Sequence, residues 1–310
     1  MNSKKTVLSF SWVRSCVLLS VLVLSLGACA GSGGKSVYTS SSAQNSQSFP
    51  KTKLGNYKRN HFNLYAIKDE ITIGTRFMEK QKKEFAKKGW EVDPKNQAAL
   101  KKRIETIVMR LAKVSDLPDL PYEVTLFKKD DVANAFCLPG GKMGVFTGLF
   151  DPKKGLVDRN NDAQIAAILA HEMAHASMRH VTRRMTSYTG LGIVGTVLTA
   201  GVAGQLGQDW GYLANQVFYT GTSLFLPSYS RRHESEADRV GLFYMARAGY
   251  DPGAAIAVWE KASALAAQKG KNNTEFFDSH PASGERANLL RSYHADAVQI
   301  QKASLQNQAH

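Results

Sequence analysis

The sequence predicts an α+β fold in which helices dominate and one small sheet lies beside a central helix. Three observations carry that expectation. Apolar residues recur at helical spacing over residues 61–89 and 95–115, as at Leu100, Ile104, Ile107, Val108 and Leu111, which gives two basic amphipathic helices. Pro118 and Pro121 then break the period. YEVTLFK, VANAFCLP and KMGVFTG follow, rich in Val, Phe, Tyr and Thr and separated by Lys-Asp-Asp and Pro-Gly-Gly, and these read as three strands of one sheet. From Asn161, a good N-cap ahead of DAQIAAILAHEMAHASMRHVTRRM, the remainder is helical in character.

With 310 residues and 43% hydrophobic content the chain can bury a substantial core. Its first part does not belong to that core. MNSKKTVLSFSWVRSCVLLSVLVLSLGACA places Lys4, Lys5 and Arg14 ahead of the apolar run CVLLSVLVLSLGA, the pattern of a secretory signal peptide over residues 1–28. Leu26-Gly27-Ala28-Cys29 resembles a lipobox, so Cys29 is the expected lipidation site and membrane attachment. Ala30, in the position where Asp favours inner-membrane retention, points to the periplasmic face of the outer membrane. Residues 29–60 read as a lipidated cysteine and flexible tether, 61–300 as the folded domain and 301–310 as a tail. Once Cys16 leaves and Cys29 is lipidated, only Cys137 remains, which excludes an intramolecular disulfide.

The net charge of +14 is concentrated in residues 51–115, with 17 Lys and Arg against 7 Asp and Glu. In an exported lipoprotein this excess fits a solvated helix face or a contact with anionic lipid, and no nucleic-acid partner is expected.

LAHEMAHASMRH holds the chemistry. His171 and His175 are four apart, so on a helix both reach a single ion, and Glu172 stands beside them where a water on that ion would lie. This is the HExxH pattern, which pairs two zinc-binding histidines with a general base. Met178 and Val181 exclude the metzincin continuation, so the third ligand comes from a distant element. SRRHESEADRVGLFYMARAGYDP, residues 230–252, reads as a second long helix with Glu234 and Asp238 on one face. One of them can bind the ion while the other orients a ligand histidine. His233, rotated about 100° from Glu234, is the less favoured ligand, and Glu236 reads as a surface carboxylate. His180, five residues past His175, falls on another face of its helix and reads as structural.

NAFCLPGGKMGVFTGLF, AAILAHEMAHASMRH, SRRHESEADRVGLFYMARAGYDP and SHPASGER stand in an order and spacing that resemble the zinc metallopeptidases related to the CAAX prenyl protease and HtpX. Within them the resemblance is to the periplasmic lipoproteins of the BepA and LoiP kind. It covers about residues 65–300. The resemblance implies a gluzincin-like, zincin-type domain with one Zn2+ per chain, ligands His171, His175 and Glu234, catalytic Glu172 and supporting Asp238. It adds His280 and Arg286 from SHPASGER. His280 would either cap the metal at rest, donate to the oxyanion of the tetrahedral intermediate, or be a plain loop histidine.

An extended substrate needs a strand edge, and Lys142, Met143, Gly144 and Val145, in the run to Thr147, are expected to supply it. Residues 190–204, with small residues at Gly192, Thr196, Ala200 and Gly204, span about 22 Å as a helix. That is short of the ~30 Å needed to cross a bilayer, so a buried or interfacial helix is expected there. The resulting expectation is a lipid-anchored periplasmic zinc endopeptidase acting on unfolded or misassembled envelope proteins. The outer-membrane assembly machinery is a further candidate partner, and a non-proteolytic assembly factor or chaperone for outer-membrane proteins is the alternative.

Overall fold

A computed structural model describes residues 51–58, 61–187, 229–268, 280 and 284–308. The expected signal peptide, Cys29, most of the expected tether and residues 190–204 lie outside the described residues. Helix α1 (Ile67–Lys87) leads to a short strand β1 (Glu91–Val92) and then to α2 (Ala98–Ala112). Strands β2 (Glu123–Lys128), β3 (Ala135–Leu138) and β4 (Lys142–Phe146) follow. Helices α3 (Asp162–Ser177), α4 (Arg231–Arg247), α5 (Gly253–Gln268) and α6 (Gly284–Gln308) come after the strands. The first two helices are shorter than their periodicity implied. The sheet has four strands, because the two-residue β1 pairs with the end of β2.

Period-two alternation explains the sheet's place between two apolar layers. Val124, Leu126, Ala135, Cys137, Met143 and Val145 join the main core with α2, α3 and the later helices. Phe127, Phe136, Leu138 and Phe146 face the other way, meeting Met78 and Phe85 of α1 in a smaller aromatic core.

The strand order is β1-β2-β4-β3, which overturns the expected edge. Gly140 and Gly141, at φ 72° and 82°, reverse the chain after β3. Strand β4 therefore returns antiparallel to β3 and lies parallel to β2 on its other side. Lys142, Met143, Gly144 and Val145 sit in this interior strand, between two partners, and offer no edge to a substrate. Strand β3 is the edge on that side. Its Asn134 carbonyl accepts from Phe146 N–H at 3.0 Å, so by antiparallel alternation Ala135 and Cys137 direct their main-chain groups away from β4.

Helix α3 begins as its sequence implies, with the Asn161 side chain accepting from Gln164 N–H at 3.1 Å. Arg103 of α2 fixes that start by donating to Asp162 and to the carbonyls of Arg159 and Asn160. The helix does not run on to residue 185. It stops at Ser177, Arg179 takes a left-handed φ of 59°, and helical turns resume over 180–187. Ser230 caps α4 by accepting from His233 N–H, and Gly249 at φ 79° ends it. Helix α4 packs on α3 with Gly241 at the crossing, where an added Cβ would stand 2.9 Å from the His171 nitrogen. No helix among the described residues is long and apolar enough to cross a membrane.

Candidate metal centre

The crossing of α3 and α4 brings together side chains far apart in sequence. His171 and His175, on the buried face of α3, approach each other at Nε2 to 3.1 Å. Glu234, in the first turn of α4, places Oε2 3.4 Å from His171 Nε2 and Oε1 3.5 Å from His175 Nε2. His280 enters from the segment before α6, with Nδ1 3.4 Å from His171 Nε2 and 3.1 Å from Glu234 Oε1. One ligand atom from each of these four buried residues lies within 4.8 Å of the other three. A tetrahedral ion bonded at 2.0–2.1 Å holds its donors about 3.3–3.4 Å apart, and the closest contacts here, 3.1–3.5 Å, bracket that spacing. Three imidazoles and a carboxylate converging at that spacing fit a divalent ion of zinc's preferences. His233 is not part of the cluster; its ring lies against His180.

Around this centre the charges are arranged in pairs. Asp238 Oδ1 stands 3.0 Å from His171 Nδ1, on the ring nitrogen that faces away from the cluster. Arg286, in the first turn of α6, grips Asp238 with two nitrogens at 2.6 and 2.7 Å and reaches Glu234 Oε2 at 2.7 Å. The indole of Trp259 covers that guanidinium at 3.6 Å. Burial would raise the Glu234 carboxyl, but His280, His171 and Arg286 outweigh it and hold the group well below its ordinary range. Burial keeps His175 neutral, the form in which imidazole binds metal. For His171 the loss of solvent is outweighed by Asp238 and Glu234, which raise the ring above its usual value.

Glu172 lies beside the cluster. Burial pushes its carboxyl up to about 7 against the opposing pull of His280, whose Nε2 is 3.2 Å from Oε1. The Cys137 N–H also acts on this carboxylate. The edge of β3 therefore faces the group expected to be the general base.

Residues 98–294 match the model of peptidase family M48. The chain belongs to peptidase family M48. It is 33% identical over 196 residues to the mitochondrial metalloendopeptidase OMA1 of Schizosaccharomyces pombe, covering 63% of this chain and 53% of that protein. It is 30% identical over 192 residues to the metalloprotease LoiP of Escherichia coli (strain K12), covering 61% and 69%. It is 30% identical over 174 residues to the beta-barrel assembly-enhancing protease of the same strain, covering 54% and 33%. The chain thus spans between a third and three fifths of the OMA1 relatives. Identity to OMA1 is no lower than to LoiP, so the expected placement beside the BepA and LoiP kind does not stand out. The matched region is an M48 metalloprotease domain, and its centre is one for a divalent metal.

Three neighbours of the M48 centre escaped the sequence reading. His180 meets His175, Tyr229 stacks on His175 with ring centroids 3.8 Å apart, and Trp259 lies 5.2 Å from His171. Glu236 is a half-buried acceptor for His61, His180 and Arg183, not a surface carboxylate. The left-handed Arg179 turn hid the first, since it reorients every residue after it. Nothing in the local pattern marked Tyr229 or Trp259.

Proposed function

We propose that the protein is a zinc endopeptidase, anchored by a lipid on Cys29 at the periplasmic face of the outer membrane, that degrades misfolded or stalled envelope proteins. The observation that carries the peptidase reading is the convergence of His171, His175 and Glu234 beside a buried Glu172. Zinc bound there supplies Lewis acidity toward a carbonyl oxygen and toward water. The side chains do the rest. Glu172 takes a proton from the attacking water and returns it to the leaving amine, a task suited to a carboxyl lifted to about 7 by burial. Asp238 and Arg286 keep His171 and Glu234 in place. An extended peptide laid along β3 runs past Glu172 and meets the outward carbonyls of Ala135 and Cys137, whose N–H groups already donate to Asn134 Oδ1 and Glu172; main-chain contacts make little demand on its sequence. That suits substrates defined by being unfolded.

The location rests on the leader, the cysteine after Leu26-Gly27-Ala28, and the relation to LoiP and the beta-barrel assembly-enhancing protease. Residues 61–300 form the peptidase domain in this reading, and the family match falls inside it. Metal analysis of the purified protein, with casein cleavage measured with and without a chelator, tests the activity. Glu172→Gln keeps size and helix but removes the base, so zinc should remain while turnover falls on the order of 10² to 10⁴. Near-normal cleavage by that variant would sink the mechanism. An assembly factor without proteolysis would instead keep its function in Glu172→Gln.

A further inference from the structure

A histidine that binds metal is commonly held by a partner on its other ring nitrogen, which fixes both tautomer and orientation. For His171 that partner is Asp238. For His175 the atom in the corresponding place is Nδ1 of His180, 2.8 Å from Nδ1 of His175. Two such nitrogens form a hydrogen bond only if one carries a proton and the other does not.

The next contact decides which. His180 Nε2 lies 3.0 Å from Glu236 Oε2, and a carboxylate accepts, so Nε2 of His180 carries the hydrogen. A neutral His180 then presents a bare Nδ1. His175 Nδ1 must be the donor to it, which leaves the lone pair of His175 Nε2 directed at the metal cluster. Glu236 is itself fixed by His61 Nε2 and Arg183 Nη1, both at 3.0 Å. The ring of His233 lies parallel to that of His180, with centroids 4.4 Å apart.

This contact depends on the broken helix. On a straight helix the fifth residue after His175 would be turned about 140° away from it. The left-handed Arg179 turns the chain, a conformation that residues with a Cβ adopt at a cost. Buried Glu70 of α1 stabilises the turn by accepting from Arg179 Nε at 2.8 Å and from the Thr182 hydroxyl, while Arg179 also donates to the Tyr65 carbonyl.

We propose that Glu236 and His180 form a hydrogen-bonded relay that fixes the tautomer of His175 for metal binding, and that the Arg179 turn exists to deliver His180 to it. Both are positioning residues, and the inference rests on His175 being a ligand. The test is Zn2+ affinity of the full mature chain by competition with a chromophoric chelator, with the visible spectrum of the Co2+-loaded protein and circular dichroism as a check on folding. His180→Ala and Glu236→Ala should each weaken zinc about 10–100-fold, and the double variant no further, because the contacts act in series. Glu236→Gln keeps an acceptor oxygen for His180 and should stay near the parent. If His180→Ala does not fold, His180→Asn, which keeps an acceptor toward His175 but does not reach Glu236, should show an intermediate loss and an altered Co2+ spectrum. Unchanged zinc affinity in a folded His180→Ala or His180→Asn variant would overturn the relay. So would equal losses from Glu236→Gln and Glu236→Ala. A parent protein that binds no zinc would defeat the metallopeptidase reading instead, so the two failures are distinguishable.

Discussion

His280 has its two ring nitrogens on two different tasks. Nδ1 sits among the metal donors and Nε2 beside Glu172. Such a ring can close the fourth metal position, as in structural zinc sites, and hold activity latent until it withdraws. The alternative is donation to the oxyanion, which requires the ring to stay in place. The position of Nδ1 favours capping, so His280→Ala is expected to raise basal casein turnover; a loss on the order of 10² to 10³ would assign the oxyanion role. Arg286 makes a different prediction. Removing it leaves Glu234 and Asp238 buried without their cation, and breaking such a pair costs about 3–5 kcal/mol. Arg286→Ala should therefore lower the melting temperature of the metal-free protein, and added zinc should restore part of the loss by replacing the missing positive charge. At this scale the HExxH spacing was legible because four residues along a helix is a local relation. His180 was not, because its direction depends on a turn fixed by Glu70, 109 residues from Arg179.

Elements meet at the centre by close approach, and glycine permits it. A Cβ on Gly241 would stand 2.9 Å from the nitrogen of His171 and 3.0 Å from its Cα. Gly241→Ala should push α4 away from α3, cost about 1–3 kcal/mol and weaken zinc binding together with cleavage. Denaturant melts paired with chelator competition check both effects, and a variant stable and tight as the parent would show that the crossing can yield. Helix α1 meets the Pro139-Gly140-Gly141 turn still more closely, since a Cβ on Gly74 would fall 1.8 Å from the Pro139 carbonyl oxygen. The existence of helices and strands followed from period and punctuation. The order of the strands did not, because alternation says which faces are buried and nothing about which neighbour lies alongside. KMGVF reads the same at an edge as in the middle.

For the whole molecule, the anchoring reading makes a cellular prediction. Cys29→Ser should abolish lipidation and release the mature domain into the soluble periplasmic fraction, in keeping with described helices too short or too polar to cross a membrane. Retention after a high-salt wash would mean that another segment, such as residues 190–204 or the basic helices, holds the protein to the membrane.

Arg286 also sets an order of events. It lies 115 residues after His171, in the first turn of α6, the last described helix. At a synthesis rate of ~5–20 residues per second, His171 and His175 are made roughly ten seconds before the cation that pairs with Glu234 and Asp238. Until Arg286 is made, the carboxylates of Glu234 and Asp238 lack the cation that pairs with them. The charge frame around Glu234 and Asp238 is therefore complete only once α6 has docked.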